Sequence, residues 1–528
     1  MPVAAFNYNE MKKKIYTWHR SLSIIIAIPV LLWAISGFMH PLMTNIRPAI
    51  ATQGLPPVRI DSQRIRFPLR DALLKNHLSH FSNFRLVHID TNWFYQVQPV
   101  SPAGNTIPVP VYLSCTNGNA LPAGDWLYAQ YIARQFLEGT AQTDHSHIDH
   151  IFPPTAHDCC GAATDVVLNP AKGAKVANVS LIRDFDNEYK NINRLLPVYR
   201  VSFDRPDGIR VYVETTKDRF AFAMDNRRAI FDEIFRLLHT WGWLDFLGKG
   251  KLAIEILLAI LAFCTTAMGI YIFFVTKTKN IKGNRSRRNH RYVSIVACLF
   301  TLLWTFSGSY HAFSKFSDDT RDRYFINNSF VSDSVVFDPA RIQRVVQQPV
   351  SNASLIKMDG KVYWQVYAEA VRPASPIDLM KDGKVTLPTI LYIDTADYSI
   401  LPDGDRKYAE WLATLFSRHL PAEIRSTTAI TKFGDEYNFT DKRLPVWRVN
   451  YAANGHERYY VETSTGRLSK KINDKDLLEG YSFSLLHKHH FMDWGGKRVR
   501  DISTMFWAFM QVLMVAVGLI LYFKWRSK

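Results

Sequence analysis

The chain has 528 residues, of which 47% are hydrophobic and 13% aromatic, and its mean hydropathy of −0.10 is too low for a protein lying mostly within a bilayer. The length accommodates roughly two to four domains, so a few membrane spans carrying large soluble domains fit better. The net charge of +17 would suit nucleic-acid binding, but the basic residues cluster beside apolar segments, which indicates membrane topology instead.

Four apolar segments have the length that a bilayer requires, at 20–42, 251–275, 292–313 and 503–524. Basic residues mark the short flanking segments 1–19, 276–291 and 525–528, which the positive-inside rule places in the cytoplasm. The long connections 43–250 and 314–502 then lie outside, in the periplasm of a bacterium. The first span starts like a signal peptide, but its apolar run is longer and lacks a cleavage site, so we expect an uncleaved anchor.

The two halves of the chain repeat each other. The segment WHRSLSIIIAIPVLLWAISGFMH returns as HRYVSIVACLFTLLWTFSGSYH, with His, Trp, Ser, Gly and His each 271 positions later, as from His19 to His290. In the outer connections, LPVYRV returns as LPVWRV and VETTKDR as VETSTGR, both 248 positions later. The sequence therefore predicts one helix–lobe–helix module present twice, with an insertion at 126–184 in the first lobe.

Each lobe is predicted to be α+β. The alternation in YRVSF and RVYVET, and in WRVNY and RYYVET, has the period of two that half-buried strands show, with turn signals between them. The segments YAQYIARQFL and YAEWLATLF instead have the spacing of helices.

Histidines at the ends of the spans form three equivalent pairs: His19 with His290 inside, and His40 with His311 and His239 with His487 outside. One such residue can simply cap a helix or anchor it at the interface, but three symmetric pairs favour metal or haem-iron ligands facing one another across a four-helix bundle. Trp33, Gly37 and His40 share one helix face, and the glycine either leaves room for a macrocycle or serves close helix packing.

The order helix, lobe, helix, helix, lobe, helix, together with the His-Arg openings and Ser-Gly closings of the odd spans and the VET strands, resembles the PepSY-associated transmembrane family. Its members include bis-haem inner-membrane reductases of ferric siderophores. The resemblance implies b-type haem, two in number, PepSY-like periplasmic lobes and reduction of iron(III) chelates. On the matching positions, His19 and His290 would ligate the inner haem, and the outer haem would draw on His40, His311, His239 and His487. Four outer candidates exceed one haem, so a second outer haem or another role for one pair stays open.

The insertion concentrates metal-ligating side chains in DHSHIDHIFPPTAHDCCG. We expect a metal or substrate contact there, or alternatively a solvated polar loop with a Cys159–Cys160 disulfide or one linked to Cys115. The candidate ligands are His145, His147, His150, His157, Cys159 and Cys160.

No nucleotide-binding or hydrolase motif occurs in the sequence, so electrons would come from a membrane quinol or a separate cytoplasmic flavoprotein.

In HKHHF, His489 and His490 would serve the outer haem, a proton path or substrate iron, or be exposed at the interface. Two alternatives to a redox carrier are a PepSY-domain binding or regulatory membrane protein without redox activity, and a transporter, for which the spans hold few charged residues.

Overall fold

The computed structural model describes residues 8–55, 58–101, 107–139, 174–276, 285–316, 324–368, 389–434, 436–452 and 456–526. The chain divides into two compact units. The helical unit comprises Met1–Arg47, Arg227–Asp319 and Lys475–Lys528, and the lobe unit comprises lobe 1, Pro48–Asn226, and lobe 2, Thr320–Asp474. The six candidate ligands of the insertion, from His145 to Cys160, lie outside the described residues.

The described residues form ten α-helices: α1 (Tyr8–Asn45), α2 (Leu69–Lys75), α3 (Gly124–Glu138), α4 (Asn226–Leu238), α5 (Lys249–Val275), α6 (Arg285–Ser314), α7 (Pro339–Val346), α8 (Gly404–Ser417), α9 (Asp474–Tyr481) and α10 (Gly496–Arg526). The candidate membrane spans, by length and composition, are Glu10–Asn45, Lys249–Val275, Arg285–Ser314 and His490–Lys524. They contain the four predicted spans, so the protein is a multi-pass helical membrane protein by this criterion. Because α1 begins before and ends after the apolar run, His19 and His40 lie within the helix rather than at its ends.

The four long helices pack in a closed order that repeats the duplication. Helix α1 contacts α5 and α10, and its counterpart α6 contacts the same two helices. In the first half, Ile26 and Val30 pack on Ala262 in a small apolar core. Thr301, which is 271 positions after Val30, instead donates to Gln511 at 2.8 Å, so the two halves differ at this interface.

The lobe unit is built from fifteen described strands: β1 (His80–Ile89), β2 (Asn92–Pro99), β3 (Val111–Ser114), β4 (Val176–Ile182), β5 (Val198–Phe203), β6 (Arg210–Glu214), β7 (Arg219–Met224), β8 (Phe330–Val331), β9 (Val350–Met358), β10 (Lys361–Ala368), β11 (Thr389–Asp394), β12 (Ile424–Ile430), β13 (Val446–Tyr451), β14 (Arg458–Glu462) and β15 (Arg467–Ile472).

Each lobe contains the same two antiparallel sheets. The order β3-β2-β1 in lobe 1, extended by β8 of lobe 2, corresponds to β11-β10-β9, and β4-β5-β6-β7 corresponds to β12-β13-β14-β15. Helix α3 packs on β5 and β6, and α8 packs on β13 and β14. The predicted α+β lobes and the two predicted helices are therefore confirmed. The likeness to PepSY domains stays a prediction.

The two lobes share one hydrophobic core and are joined by an ion pair. Leu86 and Tyr95 of lobe 1 lie in the same buried cluster as Leu355 and Trp364 of lobe 2. Arg219 of lobe 1 pairs with Glu462 of lobe 2. Such a shared core explains why both lobes form a single compact unit.

Candidate functional site

His239 and His487 occupy equivalent places just beyond α4 and α9. His239 follows the last turn of α4, and His487 ends a π-helical turn, Ser482–His487, that continues from α9. The indole N–H of Trp33 donates to the carbonyl oxygen of His239 at 3.1 Å, and that of Trp304 donates to the carbonyl of His487 at 3.2 Å. The repeated tryptophans of α1 and α6 therefore hold the backbone at both histidines.

The repeated serines of α1 and α6 orient the two imidazole rings. Ser36 Oγ donates to the carbonyl of Leu32 at 2.8 Å, so the hydrogen bond of 2.9 Å between Ser36 Oγ and His239 Nδ1 is donated by the ring. Ser307 repeats this arrangement with His487 at 3.2 Å. With the proton on Nδ1, Nε2 of each ring carries the lone pair that binds metals.

The separation of these two rings fits a pair of axial ligands. Their centroids are 6.2 Å apart, and the rings are nearly perpendicular. Metal–imidazole bonds are about 2.0 to 2.1 Å long, which puts the centres of two rings on opposite sides of one ion about 6 Å apart. Burial lowers the pKa of His239 to about 4 and that of His487 well below its usual value, which keeps both rings neutral.

His40 and His311 each contact a phenylalanine that also contacts the first pair. The ring of Phe235 lies 4.6 Å from that of His239 and 5.4 Å from that of His40. Phe483 likewise stacks on both His487, at 4.8 Å, and His311, at 4.0 Å. In each half one phenylalanine ring therefore packs on both histidines, whereas the rings of His239 and His487 contact each other directly. His311 donates from Nδ1 to Glu479 Oε1 at 2.5 Å.

His19 and His290 each pack against a glycine of a neighbouring helix. A Cβ atom added at Gly269 of α5 would stand 3.1 Å from His19 Cε1, and one at Gly518 of α10 would stand 3.2 Å from His290 Cε1. His19 Nδ1 donates to the carbonyl oxygen of Thr265 at 3.0 Å, which leaves its Nε2 free.

Several of these contacts were not predicted from the sequence. Gly269 and Gly518 are 249 positions apart, whereas His239 and His487 are 248 apart. Because the spacing differs by one residue, a comparison of the two halves at constant spacing does not match the two glycines. The predicted glycine Gly37 has a different neighbour, since a Cβ there would stand 3.8 Å from Ala508, which favours its role in helix packing. Gly308 does lie beside His487, at 3.6 Å by the same measure.

His489 is fully buried, so the predicted exposure at the interface is wrong for this residue. Its ring stacks on Trp304 at 5.4 Å, where the equivalent Trp241 of the first half stacks on Trp33 at 5.1 Å. Its Nε2 has no hydrogen-bond partner among the described residues. His490, only half-buried, lies 2.8 Å from Asp493.

Within the described part of the chain, no group of three or more His, Cys, Asp or Glu side chains could hold a metal ion. Cys115 is a buried thiol, and Cys159 and Cys160, with which a disulfide was predicted, lie outside the described residues. No protein-family model matches the chain, and no curated protein sequence matches it either.

Proposed function

We propose that this protein binds b-type haem at two levels of its four-helix bundle and carries electrons across a bacterial inner membrane to iron(III) chelates such as ferric siderophores. The observation that carries the proposal is the arrangement of His239 and His487, whose Nδ1 atoms are engaged by Ser36 and Ser307 and whose centroids are 6.2 Å apart. A ligand pair with both Nε2 atoms free fits bis-histidine haem.

The residues of the chain would fix the ligands before any cofactor binds. At the outer level, Ser36 and Ser307 set the tautomers, and Trp33 and Trp304 hold the backbone of the two histidines. At the inner level, the carbonyl of Thr265 sets the tautomer of His19. A bound haem supplies one-electron transfer between iron(III) and iron(II).

The two levels are separated along the bundle. His19 and Ser36, the partner of His239, are 17 positions apart on α1, which is about 25 Å along a helix. Ligands at both ends of duplicated spans are what a conduit across the bilayer requires. The proposed electron donor on the inner side is a quinol or a cytoplasmic flavoprotein. His40 and His311 would hold a further outer haem or take another role.

The test is the absorption spectrum and haem content of the purified, chemically reduced protein. We expect b-type bands and two haems per chain. His239→Ala and His487→Ala should each remove the outer haem, and His19→Ala should remove the inner one. The exposed His80 of β1 provides the matched control, and His80→Ala should leave the spectrum unchanged.

Absence of b-type bands from protein purified after growth with excess haem would overturn the proposal and favour a binding or regulatory role. Haem content that is the same in His239→Ala and in the wild type would contradict the assignment of the outer ligands. Reduction of ferric siderophore by reconstituted protein with a quinol, measured as iron(II) trapped by a chromogenic chelator, tests the reaction itself.

A further inference from the structure

A polar cleft opens within the lobe unit, between strands of lobe 1 and the VETSTGR turn of lobe 2. It has a volume of about 110 Å³, which holds several water molecules or one or two oxyanion groups. Lobe 1 contributes parts of β1 and β2 and the turn at Lys217, and lobe 2 contributes Phe325–Asn328 and the turn at Arg467. The cleft is therefore made by both copies of the duplicated module.

The described residues that line the cleft include three cations and no carboxylate: Arg85, Lys217 and Arg467. Arg85 is neutralised by Asp218, which lies behind it at 2.6 Å. Lys217 donates a long hydrogen bond of 3.4 Å to Tyr367 Oη and lies over the ring of the same tyrosine. Arg467 donates one of 3.5 Å to the carbonyl of Leu196 and lies over the ring of Phe325. Neither makes an ion pair with a described residue.

The charges behind the cleft do not balance these two cations. Glu214 is paired with Arg219, and Glu462 is shared between Arg219 and Arg443, so the nearest carboxylates are already bound by arginines. Asp125, further back, accepts a hydrogen bond from Tyr112 Oη at 2.9 Å. Half-buried cations without a counter-ion are costly, and a bound anion removes that cost. Burial, with the charge of Arg85, lowers the pKa of Lys217 to about 7, which an anion beside it would reverse.

Neutral hydrogen-bond donors accompany the cations. Asn83 accepts from the N–H groups of Phe84 and Leu355 through Oδ1, so its NH2 group remains as a donor. Hydroxyls from both lobes, among them those of Ser82 and Ser464, also line the cleft. Cations together with amide and hydroxyl donors form the usual setting for carboxylate or phosphate oxygens.

We propose that this cleft binds a ligand through its carboxylate or phosphate oxygens, with Lys217 and Arg467 as the charged contacts from the two lobes. That the oxyanion belongs to the iron(III) chelate, making carboxylate-bearing chelates the preferred substrates, rests on the proposed function. The oxyanion site itself does not depend on haem.

The duplication supplies a substitution that the fold already tolerates. Lys217 occupies the position that Thr465 occupies in lobe 2, 248 residues later, so Lys217→Thr copies the equivalent turn. The control is Lys361→Gln, at an exposed lysine of the β9–β10 hairpin that does not line the cleft. Lys217→Arg keeps the charge and should keep binding.

The experiment is isothermal titration of the full-length protein in detergent with citrate, inorganic phosphate and ferric citrate at low salt and neutral pH. We expect Lys217→Thr to weaken binding about 10- to 100-fold, the usual effect of losing one charge-assisted hydrogen bond, and Lys361→Gln to leave it unchanged. Binding of citrate alone identifies a free-oxyanion site, and binding of ferric citrate alone identifies a chelate site. Either supports the proposal.

Absence of binding by all three probes, or equal affinities of Lys217→Thr and the wild type, would overturn the oxyanion site. If Lys217→Thr does not fold, Lys217→Gln in the same titration takes its place. Failure here is distinguishable from failure of the proposed function, because haem bands without anion binding refute only the cleft. Anion binding by a haem-free protein refutes only the redox role.

Discussion

The glycine beneath His19 gives the sharpest test of the inner site. In Gly269→Ala the new Cβ would stand 3.1 Å from His19 Cε1, whereas carbon atoms in normal contact are about 3.5 to 4.0 Å apart. The ring must therefore move by about half an ångström, which is comparable to the displacement that ligand geometry tolerates. The bond of 3.0 Å from His19 Nδ1 to the Thr265 carbonyl would be strained by the same movement.

We expect Gly269→Ala to lose inner haem or shift its absorption bands, and to destabilise the helical unit by about 1 to 3 kcal/mol through overpacking. Haem content, the reduced spectrum and a redox titration measure the first effect, and thermal unfolding in detergent measures the second. Gly37→Ala is the matched control, because its Cβ would meet Ala508 at an ordinary 3.8 Å and alanine favours the helix. A Gly269→Ala protein with the haem content and redox titration of the wild type would refute the reasoning.

Three further predictions concern buried polar contacts. Ser36→Ala should weaken outer haem binding about 10- to 100-fold in a haem titration, because His239 Nδ1 loses its partner, and unchanged affinity would show that the serine is dispensable. Arg85→Ser alone should lower the free energy of unfolding by about 3 to 5 kcal/mol, because it leaves the buried carboxylate of Asp218 without its ion-pair partner. The double variant Arg85→Ser, Asp218→Gly has the residues of lobe 2 at both positions, Ser354 and Gly466, and should recover most of the lost stability in urea unfolding. A double variant no more stable than the single one would contradict this. Burial raises the pKa of Asp125 to about 6, so its contribution to stability is complete below about pH 4 and is lost as the pH rises through 6, by about 3 kcal/mol. Unfolding of the wild type and Asp125→Asn from pH 4 to 7 should differ in slope, and parallel curves would rule this out.

The sequence by itself determined the four spans, the duplication and the α+β character of the lobes. These properties depend on local information, because a run of apolar residues or an alternation of period two is visible within a short stretch of chain. The repeat also identified all six candidate histidines, since equivalent positions are found by comparing the two halves of the chain.

Only the tertiary structure shows which outer histidine rings contact each other. The contact of His40 with Phe235, and that of Ser36 with His239, join residues about 200 positions apart. No local pattern specifies such a contact, because the direction of a side chain depends on packing between helices. The cleft of the lobe unit has the same origin. Its two cations that form no ion pair with a described residue, Lys217 and Arg467, lie in different lobes and come together only when the lobes share a core.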